Sequence, residues 1–222
     1  MGNLNRICQR APYAGDPLAL FWRWFDAARR AGEDLPEAMT LATVGKGGLP
    51  SARVVLMKAV EEGEFVFYTN YESRKGRELN ANPAAALVFH WGSTRIPRIA
   101  LERLRSLDFS YGPRQVRVEG RVRLEGPGES DRYWASRPRG SQIGAWASRQ
   151  SRRLKGREEL ERELALQRER FRGVPVPRPQ RWGGYRLQPS RIEFWEGRQD
   201  RLHDRVLYLR GKSGWSRRIL AP

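Results

Sequence analysis

Cysteine is almost absent from this sequence. Cys8 stands alone among 222 residues, so no intrachain disulfide can form and no cysteine-based zinc site exists. Histidine is nearly as scarce: with only His90 and His203, no histidine-rich metal centre is expected. Long apolar runs are missing too. No stretch approaches the length of a membrane span, and the residues after Met1 lack the apolar core of a secretion signal. Arg6 stands where a myristoylation signal requires Ser or Thr. These absences predict a reducing, cytoplasmic setting and no membrane partner. The last scarcity is lysine: five lysines sit within a total of 42 Lys+Arg, so the positive charge is almost all arginine.

That charge is large. The 42 basic residues exceed the 25 acidic ones by 17, a balance that favours anionic partners. Arginine presents a planar fork suited to phosphate and carboxylate. Its spread along the whole chain, however, marks most of it as solvated surface. Hydrophobic residues make up 39% and tryptophan occurs eight times, enough for a sizeable core in one large domain.

The hydrophobic period assigns the elements. Asp16 caps a helix with Pro17 in its first turn and an apolar stripe at Leu18, Phe21, Trp22 and Phe25, ending near Gly32. Met39–Val44 and Ser51–Lys58 flank a Gly-Lys-Gly-Gly turn and read as a hairpin. A strand over Glu64–Thr69, a short helix capped by Ser73 and a strand over Ala84–Trp91 follow. Arg98–Leu107 is a basic segment with helical potential between breaker residues. Gln115–Glu125 alternates as a half-buried strand. Helices near Glu129–Ser136 and Glu158–Phe171 precede three closing strands, beginning at Tyr185, Arg205 and Trp215. Short turns between antiparallel strands predict a mainly β barrel with peripheral helices.

Four stretches carry candidate chemistry. In Arg53–Lys58, strand alternation sends Arg53, Val55 and Met57 to one face and Val54, Leu56 and Lys58 to the other, which places the two cations to serve different anionic groups, although taken alone the stretch reads better as a strand with charged ends. Around Ser73, Arg74 and Lys75 begin a helix. Cations there oppose the helix dipole, and two adjacent ones call for an anion. Tyr133–Ser151 mixes hydroxyls, guanidiniums and small residues as a phosphate-ester site does, although a Ser/Arg/Gly loop has the same composition. Finally, Ile192–Trp195 suits packing beside a flat ligand, and Arg201 and His203 share one side of an extended chain.

RVVLMK, FYTNYESRKGREL, RQVRVEG, SRPRGSQIGAWASRQS, WGGYRL and IEFWEGRQDRLHDR together resemble, in order, the signatures of the pyridoxine/pyridoxamine 5'-phosphate oxidase family. The resemblance implies an FMN-binding split β-barrel that works as a homodimer. It implies FMN contacts at Arg53, Val54, Val55, Leu56, Met57, Lys58, Tyr68, Thr69, Arg74, Lys75, Gln115, Gln150, Ser151, Trp195 and Arg205. The substrate phosphate would meet Lys58, Tyr133, Arg137 and Ser141, with Arg201 and His203 as catalytic residues over the substrate ring. The implied reaction takes a hydride from the C4' carbon of a phosphorylated B6 vitamer to flavin, and O2 reoxidises the flavin with release of H2O2. The expected layout is a flexible arm over residues 1–15 and one domain over 16–222, interrupted by an atypical insertion at about 92–113. Three rivals remain open. One is a phenazine-type flavin oxidase of the same fold. Another is a non-catalytic binder of FMN or pyridoxal phosphate. The third is a basic nucleic-acid binder, disfavoured because no recognised module for that role is present.

Overall fold

The computed structural model describes residues 16–92 and 113–222. The expected N-terminal arm, the helix over Arg98–Leu107 and nearly all of the insertion therefore lie outside the described residues.

Helix α1, Pro17–Arg30, starts where its sequence signals place it. The Asp16 carboxylate accepts the Leu18 N–H at 2.9 Å, and Pro17 opens the first turn. Its buried stripe runs through Leu20, Phe21, Trp24, Phe25 and Ala28. The ring of Phe21 meets those of Phe65 and Phe89 edge-on at 5.1 Å and 5.0 Å. Each such buried ring contributes roughly 1.5–3 kcal/mol.

Among the described residues, nine strands form one antiparallel sheet. They are β1 (Ala38–Val44), β2 (Pro50–Leu56), β3 (Ala59–Glu61), β4 (Glu64–Asn70), β5 (Ala84–Trp91), β6 (Arg114–Leu124), β7 (Trp182–Glu196), β8 (Asp204–Gly211) and β9 (Gly214–Leu220). Helix α2, Arg74–Ala81, lies between β4 and β5; α3 (Pro127–Ser136), α4 (Arg139–Ala147) and α5 (Arg157–Arg170) lie between β6 and β7. The order across the sheet is β2-β1-β5-β6-β7-β4-β3, and β8 and β9 continue from β7.

The pivot is β7. It pairs β4 from Trp182 to Leu187 and β8 from Arg191 to Glu196, while β6 lines its other edge. A bulge between Glu119 and Gly120, which pair with Arg191 and Pro189 and leave Ser190 extra on β7, marks the change of partner. Pro189 has no N–H for the ladder, and a Cβ on Gly120 would collide with the Gln188 carbonyl oxygen. The strand bends there and the sheet curls in two parts.

The elements follow the sequence reading closely, with two differences. Ala59–Glu61 adds a short strand, joined to β4 by a two-residue turn in which Glu62 and Gly63 take φ of 53° and 79°. The stretch compatible with a Ser/Arg/Gly loop contains helix α4 instead. Packing decides this: Ile143 and Ala147 are buried on one side of the helix, and Gln142 donates to the Trp134 carbonyl at 2.8 Å. No helix among the described residues is long and apolar enough to cross a membrane.

Candidate active site

Strand β2, the end of β4, the start of α2 and helices α3 and α4 surround a cavity of about 660 Å³. Arg53, Val54, Val55, Leu56 and Lys58 line one side, and Tyr68, Thr69 and Lys75 a second. Tyr133, Arg137, Ser141 and Gln150 close it. Met57 is the member of the 53–58 run that turns away. It is 4% exposed and packs in the core, and its N–H bonds to the Glu37 carbonyl.

The cationic wall is assembled around a carboxylate. Ser73 caps α2, its hydroxyl accepting the Gly76 N–H at 3.2 Å, and no acid stands in the helix's first turn. Lys75 Nζ donates to Gln150 Oε1 at 2.9 Å and to Thr69 Oγ1 at 3.4 Å. Burial lowers its pKa below the ordinary value and nearby Arg53 lowers it further, with Glu78 opposing. Arg53 Nη1 donates to Thr43 Oγ1 at 2.6 Å and to the Leu41 carbonyl, and Nη2 donates to Ser51 and to Glu78. Arg74 lies at the rim, its Nε 2.8 Å from Glu78 Oε1. Burial raises the Glu78 pKa, but hydrogen bonds from Ser51, Thr43, Arg74 and Arg53 prevail and bring it to about 2.

Opposite this wall the rings of Tyr68 and Tyr133 stack at 4.0 Å, and Trp182 lies parallel to both. Gly183 and Gly184 make the stack possible. A Cβ on Gly183 would strike the Tyr71 hydroxyl, and one on Gly184 would lie 2.8 Å from the Tyr68 ring. Burial, then Glu125 and Glu61, push the Tyr68 phenol up to about 12, so it stays a proton donor. The Arg137 guanidinium rests 5.0 Å from the Trp134 ring and 4.6 Å from the Trp182 ring. Its Nη1 is buried without a hydrogen-bond partner. A half-buried cation with an unsatisfied donor favours an anionic neighbour.

The other expected residues gather elsewhere. Gln115 pairs across the sheet with Trp195, and Trp195 with Arg205. The His203 ring lies 4.6 Å from the Trp195 ring, and its Nδ1 accepts the Arg198 N–H at 3.1 Å. Arg205 is held by Glu193 at 2.8 Å and donates to the Ala221 carbonyl. Arg201 is exposed, in a turn at Gln199–Arg201 where Asp200 and Arg201 take φ of 55° and 62°. Ser151 also sits at positive φ, 66°, on the exposed turn after Gln150. Strained backbone at non-glycine residues is typical of functional loops. Trp182 and Trp195 stand near opposite ends of the 15-residue β7, on the order of 40 Å apart along the strand path. The cavity and the Arg201–His203 group therefore lie at two separate places in one chain.

Sequence reasoning missed Glu78, Thr43 and Ser51. The visible signal was Glu78 four residues after Arg74, which on a helix reads as an ordinary surface pair. The two hydroxyls become visible only once Thr43 and Ser51 are directly paired across β1 and β2.

Comparison with known proteins agrees with this geometry. Residues 25–170 match the family model described as pyridoxamine 5'-phosphate oxidase. Residues 182–222 match the pyridoxine 5'-phosphate oxidase C-terminal dimerisation region. A pyridoxine/pyridoxamine 5'-phosphate oxidase of Rubrobacter xylanophilus is 55% identical over 93% of this chain and 87% of its own. One from Cupriavidus pinatubonensis is 50% identical over 100% of this chain and 94% of its own. Among solved structures, PhzG from Burkholderia lata, in complex with tetrahydrophenazine-1-carboxylic acid, superposes with a TM-score of 0.81 at 32% identity, covering 95% of each chain. An FMN-binding protein of Nostoc punctiforme shares the fold, with a TM-score of 0.68 at 17% identity over 94% of this chain and 99% of its own. The mainly β split barrel expected from the sequence is thus the fold, and the chain is an enzyme belonging to the pyridoxine/pyridoxamine 5'-phosphate oxidase family.

Proposed function

We propose that this enzyme binds FMN and oxidises pyridoxine 5'-phosphate and pyridoxamine 5'-phosphate to pyridoxal 5'-phosphate, with O2 as electron acceptor and H2O2 as product. The observation that carries this reading is the cavity's cationic lining: Arg137, whose buried Nη1 has no hydrogen-bond partner, lines it together with Arg53, Lys58 and Lys75. FMN would be held by the 53–58 run, Tyr68, Thr69, Arg74, Lys75, Gln150 and Ser151. Lys58, Tyr133, Arg137 and Ser141 would take the substrate phosphate. Held there, FMN would supply the hydride-accepting and O2-reducing chemistry.

The chain's own residues supply binding, orientation and charge. Tyr68 and Tyr133 offer a flat surface with a protonated phenol. The Arg201 guanidinium would stabilise negative charge that develops on the substrate ring. Because Nδ1 of His203 accepts the Arg198 N–H, the neutral ring carries its proton on Nε2. His203 in that form donates a hydrogen bond to the substrate from Nε2.

Arg201, His203, Gln115, Trp195 and Arg205 lie at the far end of β7 from the cavity, so a complete site joins these residues of one copy to the cavity of another. The match of residues 182–222 to a dimerisation region supports a homodimer. One domain over 16–222, with the insertion at its edge, is the layout we infer.

An absorbance spectrum of the purified protein, followed by anaerobic addition of pyridoxine 5'-phosphate, tests the proposal. Flavin bands that bleach, and return with air, are expected. A protein that cannot be reconstituted with FMN refutes the reading. The likeness to PhzG favours one competitor, an oxidase of a different ring; flavin bands that persist with the B6 phosphates would support it.

A further inference from the structure

No acidic side chain lines the cavity among the described residues, yet its cations are held by one. Glu78 lies just behind the lining, with its side chain 11% exposed. Its Oε2 accepts from Thr43 Oγ1 at 2.5 Å, Ser51 Oγ at 2.6 Å and Arg53 Nη2 at 3.2 Å. Its Oε1 accepts from Arg74 Nε at 2.8 Å. One carboxylate thereby joins β1, β2 and α2. Thr43 and Ser51, paired across the two strands, set its position from below.

The arrangement also fixes Arg53 closely. Nη1 is shared between Leu41 and Thr43, and Nη2 between Ser51 and Glu78, so Nε is the nitrogen left without a protein acceptor among the described residues. A guanidinium held at both terminal nitrogens presents one orientation to a ligand instead of many. Arg53 and Lys75 repel each other, as the downward shift at Lys75 records. An anion cradle of this kind needs a counter-charge to stay assembled before its ligand arrives.

We propose that Glu78 is a positioning residue of the FMN phosphate cradle, orienting Arg53 and Arg74 and tying α2 to the β1–β2 hairpin. The proposal rests on the reading of this cavity as the FMN site. It separates two effects of opposite sign. Removing a negative charge near a phosphate would by itself tighten phosphate binding. Losing the orientation of two arginines would weaken it. A Gln at 78 also turns an N–H2 group toward donors that now find an acceptor, so disorder of the cradle prevails.

The test is to titrate the full chain and its Glu78→Gln variant with FMN and with riboflavin, following flavin fluorescence. Riboflavin lacks the phosphate, so its affinity reports the rest of the site. In the variant, the FMN dissociation constant should rise about tenfold, equivalent to about 1.4 kcal/mol, while that of riboflavin stays within twofold. An equal loss for both flavins shows a merely structural residue and overturns the proposal. Unchanged or tighter FMN binding overturns it as well. If the variant does not fold, Ser51→Ala carries the same test, since it removes one donor to Glu78 and keeps the charge. A wild-type protein that binds riboflavin as tightly as FMN would instead refute the assignment of the cavity itself.

Discussion

Replacing Arg137 with alanine should raise KM for pyridoxine 5'-phosphate about a hundredfold and leave FMN retention unchanged. The magnitude follows from its surroundings. The guanidinium plane is fixed over Trp134 and Trp182, and Nη1 is buried without a partner. Burial lowers its pKa, the signature of a cation short of solvent. A phosphate oxygen at Nη1 supplies a charge-assisted hydrogen bond worth about 1.5–3 kcal/mol and relieves an unsatisfied donor that costs about 1–3 kcal/mol. The group is half-buried, so solvent screening trims the sum to roughly 3 kcal/mol, or about a hundredfold in affinity. In the ligand-free protein the same desolvation offsets two cation–π contacts of about 0.5–1 kcal/mol each. Thermal stability should therefore move little. The assay is steady-state kinetics with pyridoxine 5'-phosphate and with pyridoxine, alongside thermal unfolding. Arg137→Lys keeps the charge but loses the stacked plane, and should recover only part of the loss. A KM change below about threefold, or an equal loss with unphosphorylated pyridoxine, would refute the reasoning.

Four further outcomes are expected. Lys75 has a folded pKa below its ordinary 10.5, so its ammonium opposes folding below the folded pKa and the opposition fades as pH rises through it. Bound phosphate reverses that shift; FMN affinity should fall with rising pH, starting below 10.5, and a flat profile to that pH would contradict the cradle. Glu78 has the opposite sign: its contribution to stability is full above 4.5 and is lost as pH falls toward about 2. The melting-temperature gap between wild type and Glu78→Gln should close across that acid window, and a constant gap would count against the ionised network. Gly184→Ala places a methyl 2.7 Å from Glu125 Cβ and 2.8 Å from the Tyr68 ring. It should cost about 1–3 kcal/mol by calorimetry and raise KM; wild-type values in both would show that the stack tolerates displacement. Arg201→Ala should abolish turnover while the protein stays yellow, and loss of flavin in that variant would refute a substrate-facing role.

The elements were legible where their signals are local. Asp16 and Pro17 announce α1, and Asn82-Pro83 and Gly92 bracket the apolar run of β5. Helix α4 was not legible because Gly140, Gly144 and Ser141 dilute its helical propensity; its stability comes from Ile143 and Ala147 buried against neighbours far away in sequence. Met57 shows that alternation does not decide what lines a cavity. It continues the more buried set of Ser51, Arg53 and Val55, and Val55 packs against the core that holds Met57, yet the cavity reaches Val55 and not Met57.

The site divides in the same way. Its cations were legible by type, since arginine and lysine at a helix start advertise an anion. Its carboxylate was not, because an acid four residues after an arginine looks like surface pairing wherever it occurs. What distinguishes Glu78 is a fact of register: Thr43 stands opposite Ser51, and α2 packs where both hydroxyls reach the same oxygen. A chain that carries an excess of 17 positive charges has many ways to attract phosphate. Attraction alone selects neither a position nor an orientation. The buried acid turns a general excess of charge into one directed site, and it does so through contacts that exist only after the hairpin has paired.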